Sequence, residues 1–271
     1  MSVRIAWYGK HFGEEPPLVG LAHQGSGTIF FSNCNLKCVF CQNWQISHDN
    51  LGQGYSEDEL VAIMLDLQKQ GAVNINLVTP TMWWQTIVPA IKKAKAQGLI
   101  IPIVWNSNGY EHIEVLKCVA EVVDIFLPDF KYADNQLGAR YSRIPNYADI
   151  ATEVIKYLNS IKPELILDEN GNAKSGLIVR HLILPGQTEN SLKTIDILAS
   201  INKNMYVSLM AQFSPLYRSN EYPELGIKNN EVEVQKIFKY LTDKGMLNGW
   251  TQEIDASDCF VPDFTKENPF K

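Results

Sequence analysis

Along most of the 271-residue chain, apolar runs rich in β-branched and aromatic residues alternate with helical apolar spacing. That alternation limits the fold more than any other feature. Strands are expected at 28–31, 73–78, 100–105, 123–127, 177–184 and 205–210. Leu60, Ile63, Met64 and Leu67 repeat at i, i+3, i+4 and i+7, the spacing of one helix face, and Ser56 to Glu59 ahead of them is a capping box. Further helices are expected over 83–97, 111–120, 189–201 and 231–243, and in pieces between 135 and 161. Pro89 should kink or split the first of these. The residues up to Pro16-Pro17 read as irregular, Gly52 to Gly54 as a turn, Asp168 to Gly171 as a turn, and Trp250 to Ile254 as a short strand. Six β-then-α units imply a parallel sheet. A doubly wound dinucleotide fold wants Gly-x-Gly-x-x-Gly after the first strand, but Gly25-Ser-Gly27 precedes it and there is no Walker-type loop. The other option is a barrel, left open because six units are fewer than the eight of a closed one. Either way the ligand site lies at the C-terminal ends of the strands.

The first strand runs into Cys34-Asn-Leu-Lys-Cys38-Val-Phe-Cys41, a C-x3-C-x2-C spacing that takes three of the five cysteines. Three close thiolates can converge on one inorganic centre, and iron–sulfur clusters are held by cysteine thiolates. A cubane with three protein thiolates leaves one iron open to a small molecule. A structural zinc site would want four closed ligands; His48 is the nearest histidine, and no paired motif follows it. A disulfide framework fits a long chain with few cysteines poorly. Buried inert thiols, or a plain iron–sulfur electron carrier, are the other readings.

The cluster spacing, with Phe40 just before the last cysteine, resembles the cofactor loop of the radical S-adenosylmethionine (SAM) superfamily. The longer phrase from Gly27 to Asn43 resembles a group related to pyruvate formate-lyase activating enzymes. So do His11-Phe-Gly-Glu-Glu-Pro-Pro, Asn76-Leu-Val-Thr-Pro-Thr, Asn106-Ser-Asn-Gly-Tyr-Glu, Leu127-Pro-Asp-Phe-Lys-Tyr and Arg180-His-Leu-Ile-Leu-Pro-Gly. The resemblance implies a partial (β/α)6 barrel over residues 25–215, with an N-terminal extension (1–24) and a C-terminal extension (216–271) packed on the same domain. It implies a [4Fe–4S] cluster on Cys34, Cys38 and Cys41, SAM on the open iron, and an electron from a flavodoxin or ferredoxin type donor. It also implies hydrogen abstraction by a 5′-deoxyadenosyl radical. The closest analogy makes the substrate a polypeptide, a glycyl radical enzyme; a small peptide or metabolite is the alternative.

Side chains two apart on a strand share a face. Ile125, Leu127, Asp129 and Lys131 share parity, and the resemblance makes Asp129 and Lys131 SAM contacts. Val104, Asn106 and Asn108 share parity; Asn106 stands where the activating enzymes have an aspartate, which puts any cation site built on it in doubt. The second strand ends in Thr79-Pro-Thr81, where the superfamily has a Gly-Gly-Glu type phrase whose backbone meets the SAM amino group; Thr79 and Thr81 offer hydroxyls instead. Arg180 shares parity with Leu182 and Leu184, and either clamps the SAM carboxylate or pairs with an acid at the barrel mouth. His181 has the opposite parity and reads as a packed or outer histidine. Gln212 falls where the activating enzymes place a histidine near adenine, and Phe40 and Gln42 complete the expected cofactor-binding set. Cys118 and Cys259 read as single thiols. The Pro/Tyr-rich stretch from Ser214 to Pro223, with Tyr217 and Tyr222, is the candidate substrate contact.

A net charge of −6 argues against a large nucleic-acid footprint. No apolar run approaches a membrane span. The first twenty residues carry no apolar signal region, so a cytoplasmic setting is expected.

Overall fold

The computed structural model describes residues 2–21, 24–251 and 261–271. The described elements run β1 (Ser2–His11), α1 (Pro16–Val19), β2 (Ser26–Phe31), α2 (Trp44–Ser47), β3 (Gln53–Ser56), α3 (Glu57–Lys69), β4 (Ile75–Val78), α4 (Trp84–Ala96), β5 (Ile103–Ser107) and α5 (Ile113–Ala120). Then come β6 (Ile125–Pro128), α6 (Asn135–Ser142), α7 (Tyr147–Ile161), β7 (Ile166–Leu167), β8 (Ala173–Leu182), α8 (Thr188–Ile201), β9 (Tyr206–Met210), α9 (Glu231–Asp243) and β10 (Gly249–Thr251).

The sheet order is β10-β9-β8-β6-β5-β4-β2-β1-β3, a path that does not close on itself. From β2 to β10 every neighbouring pair on this path is parallel; β1 adds antiparallel to β2, and β3 to β1. The fold is thus a mixed α/β partial barrel with a mostly parallel, open sheet. No helix among the described residues is long and apolar enough to cross a membrane.

Period-two alternation sorts the core into two layers. Ile75 and Leu77, Ile103 and Trp105, Phe126, and Leu177 and Val179 join the large cluster packed under the helices. Their alternates Val104, Ile125, Leu127 and Ile178 face the concave side and meet Leu18 of α1. The short helix α1 therefore fills the hollow that the open barrel leaves.

The helices follow local chemistry. Ser56 accepts from the Glu59 backbone while the Glu59 carboxylate accepts from Ser56, so the capping box forms and α3 starts there. Pro89 lies within α4, which runs unbroken from Trp84 to Ala96, so the helix is not split. Two expectations need correction. The N-terminal stretch is not irregular: ten residues form β1, whose Val3 and Ile5 are buried. Of the expected Gly52 to Gly54 turn, Gln53 and Gly54 instead open β3. The expected strand near the C-terminus begins as β10, and residues 252–260, which include Cys259, lie outside the described residues. Cys118 is a free, exposed thiol.

Candidate active site

A cavity of about 260 Å3 sits at the C-terminal ends of the parallel strands. β2 delivers the cysteine loop to its rim, and Cys34, Cys38, Phe40, Cys41 and Gln42 all line it. Thr79 lines it from just beyond β4, Asn106 from β5 and Asn108 from just beyond it, Asp129 and Lys131 from beyond β6, Arg180 from β8 and Gln212 from beyond β9. Thr81 alone of the expected set is absent from the wall. It belongs to a short 3-10 turn, and its hydroxyl donates to Glu111 at 3.0 Å.

The cysteine loop is held by its neighbours. Its backbone pairs with the end of α6 through Lys37 N to Ser142 O (3.1 Å) and Val39 N to Tyr141 O (2.9 Å). The Cys34 sulfur accepts from Asn108 Nδ2 (3.3 Å) and from the Leu36 amide (3.4 Å), and Cys38 Sγ lies 3.0 Å from Ser142 Oγ. All three thiols are free. Burial pushes Cys38 up to about 11 and Cys41 up to about 12, with the neighbouring thiols adding to the effect at Cys41. Thiols this reluctant to ionise alone become thiolates by bonding to a metal centre. Among the described residues no three His, Cys, Asp or Glu side chains converge tightly enough for one metal ion. The corners of a cubane are separate irons, so its three thiolates need not converge on a point. The residues present fit a cluster with three protein ligands.

Two charged groups shape the walls. Lys131 and Asp129 form an ion pair inside the cavity. Burial would lower Lys131, but the Asp129 carboxylate outweighs it and holds the ammonium above its ordinary range. Arg180 is the second. Its Nε donates to Glu15 Oε1 (2.7 Å), and its Nη2 reaches both Glu15 Oε2 (2.5 Å) and Glu14. Asn76 Nδ2 holds the other Glu14 oxygen at 2.8 Å. Burial pushes Glu15 upward, yet the Arg180 guanidinium prevails and keeps its carboxyl below the usual range. Of the two roles open to Arg180, pairing with acids is the one its geometry shows.

His181 faces the other side, as its parity implies. Its Nδ1 donates to Phe130 O at 2.7 Å, because a carbonyl can only accept, and its Nε2 accepts from Ser191 Oγ at 2.9 Å. Burial lowers it to about 4.

Glu14, Glu15 and Glu111 escaped the sequence reading. The first two stand in the phrase from His11 to Pro17, and no periodic signal marks them as inward-facing, because they precede a four-residue helix. Phe270 also lines the cavity from the C-terminal segment, against Phe30 and His11. Tyr217 stacks on Trp44 and on His48, with ring centroids 5.4 and 4.9 Å apart, and Tyr222 meets Tyr141 edge-on. Both rings are engaged in loop packing. Two buried polar atoms on cavity-lining residues, Gln212 Oε1 and Asn43 Oδ1, have no hydrogen-bond partner among the described residues.

Residues 28–199 match the Radical SAM superfamily. An uncharacterized protein of Methanocaldococcus jannaschii, MJ0674, is 34% identical over 239 residues, which cover 84% of this chain and 64% of that protein. Streptococcus suis SuiB bound to precursor peptide SuiA is similar in fold, with a TM-score of 0.58 at 14% identity, over 83% of this chain and 48% of that one. SuiB bound to S-adenosylmethionine gives the same TM-score at 13% identity, over 83% and 50%. The chain thus spans less than two thirds of the length of each of these relatives. The match over residues 28–199, more than half of the chain, shows that it belongs to the radical SAM superfamily.

Proposed function

We propose that the cavity holds SAM beside a [4Fe–4S] cluster on Cys34, Cys38 and Cys41, and that the enzyme acts on a polypeptide, with a glycyl radical partner as the first candidate. One observation carries this reading. The three thiols share a single cavity with an acid–base pair, an unpartnered Gln212 oxygen and a left-handed Thr79 backbone. When bound and reduced by a low-potential donor of the flavodoxin or ferredoxin type, the cluster and SAM supply a 5′-deoxyadenosyl radical that takes hydrogen from a substrate C–H bond. The chain's own residues bind and orient. Lys131 offers an ammonium to a carboxylate and Asp129 a carboxylate to an ammonium. Gln212 Oε1 stands ready to accept from an amino group, which suits the adenine end. Phe30, Phe40, Leu182 and Met210 give apolar walls that keep water from the reacting atoms.

The polypeptide reading draws support from the open sheet. Among the described residues β10 pairs only with β9, and an extended segment can add to an exposed strand edge. SuiB, similar in fold, is a structure with a precursor peptide bound. The test is anaerobic reconstitution with dithionite and SAM, followed by incubation with deuterated candidate substrates. Deuterium in 5′-deoxyadenosine from a polypeptide is the expected result. Transfer only from a small metabolite would replace the substrate class and leave the radical chemistry standing.

A further inference from the structure

Glu111 lies outside the cavity wall, is 4% exposed, and is the meeting point of three donors. Its Oε1 accepts from Trp105 Nε1 (2.8 Å) and Thr81 Oγ1 (3.0 Å), and its Oε2 accepts from Ser107 Oγ (2.6 Å). Two of these donors are on β5 and one is on the turn after β4. A buried carboxyl with every acceptor directed at a neighbouring element acts as a pin between them.

The pinned loop is under backbone strain. Thr79 has φ 59°, a left-handed conformation that a β-branched residue rarely adopts. Such a residue persists when its surroundings over-determine it. Here the Thr79 amide donates to Asn106 O at 2.9 Å on one side, and Glu111 grips Thr81 on the other. Trp83 Nε1 fixes the far end of the same turn to Ser32 O at 2.7 Å, next to the cysteine loop. The segment that leads to Glu111 also touches that loop, because Asn108 donates to Cys34 Sγ and to Asn35 Oδ1, and Asn35 donates to Tyr110 O.

We infer that Glu111 is a positioning residue that sets the Thr79 backbone and the Asn106–Asn108 turn for SAM, without touching SAM itself. This rests on the reading of the cavity as the SAM site. Burial raises the carboxyl of Glu111, and an amide would serve the same geometry. In Glu111→Gln the oxygen keeps Trp105 and Thr81, while the new NH2 donates to the Ser107 hydroxyl, which can turn to accept. Glu111→Ala leaves the three donors without their acceptor.

The test measures SAM dissociation constants by equilibrium dialysis, and KM and kcat for 5′-deoxyadenosine formation, on reconstituted wild type, Glu111→Ala, Glu111→Gln and Thr81→Val, with iron content counted in each. Losing the buried acceptor should raise the dissociation constant and KM for SAM about tenfold in Glu111→Ala, with kcat and iron nearly unchanged. Glu111→Gln should stay within about twofold of wild type, and Thr81→Val, which removes one tether, should show roughly a threefold rise. Should Glu111→Ala not fold, Thr81→Val and Glu111→Gln carry the test. Unchanged SAM affinity in Glu111→Ala or Thr81→Val overturns the inference, as does a Glu111→Gln as impaired as the alanine variant. Failure of wild type to bind SAM overturns the cavity reading, and this inference with it.

Discussion

His181 is a neutral imidazole enclosed between the Phe130 carbonyl and the Ser191 hydroxyl. The folded protein holds it at about 4, against an ordinary 6.5. Between those values the unfolded chain binds a proton that the folded chain refuses, so stability is full above pH 6.5 and falls as pH drops toward 4. The difference is worth roughly 3 kcal/mol. Urea unfolding at stepped pH should show that slope in wild type and a flatter one in His181→Gln. Gly109 offers a sharper test of local geometry. Its φ is +76°, and a Cβ there would stand 2.0 Å from the Asp129 carbonyl oxygen. Gly109→Ala should cost about 3 kcal/mol, since strain and a backbone clash combine. At this chain size that is a fall of roughly 6–12 °C in melting temperature. Period two placed Arg180 inside and His181 outside, because both sit within β8 where alternation holds. Thr81, expected to offer its hydroxyl at the site, gives it to Glu111 instead, because the chain turns at the left-handed Thr79 just past β4. The acids that pair with Arg180 come from a segment with no period to read.

At the scale of elements, the buried parallel strands were legible because both faces are covered and their sequences are nearly continuous apolar runs. The strands missed are β1 and β3, at the antiparallel end, and the two-residue β7, which pairs antiparallel with β8. In β1 the half-buried Arg4 and Lys10 stand among apolar residues, and β3 is a short polar Gln-Gly-Tyr-Ser run; both read as loop. The helix α4 carries its own test. Pro89 is exposed within an otherwise regular helix, so it removes a backbone donor without supplying core contact. A proline inside a helix is about 3 kcal/mol less favourable than alanine before any local adjustment. Pro89→Ala should therefore raise the melting temperature, by an amount equivalent to roughly 1–3 kcal/mol. A lower melting temperature would mean that the ring, not the missing donor, matters there.

Taken as a whole, the molecule must solve a problem that a closed barrel does not have. Eight strands fill their interior with their own side chains, but an open sheet leaves its concave face short of partners. Here the N-terminal segment supplies them. Leu18 is fully buried against Val104, Ile125, Leu127 and Ile178, while Glu14 and Glu15 reach Arg180 from the same segment. One short stretch thus provides an apolar plug below and a charged floor above, and the floor is also part of the cavity wall. The two halves should respond differently to truncation. Leu18→Ala leaves a void and should cost about 2–5 kcal/mol. Arg180→Ala strands two buried carboxylates and should cost about 3–5 kcal/mol at neutral pH. Arg180 holds the Glu15 carboxyl below its usual range against burial, so without Arg180 that carboxyl protonates more readily and the penalty in Arg180→Ala should shrink in acid, whereas the Leu18→Ala penalty should not change with pH. Paired urea midpoints at pH 7 and pH 5 measure both. Equal pH dependence in the two variants would show that Glu14 and Glu15 relax to solvent once Arg180 is gone, and that the plug and the floor are not one rigid unit.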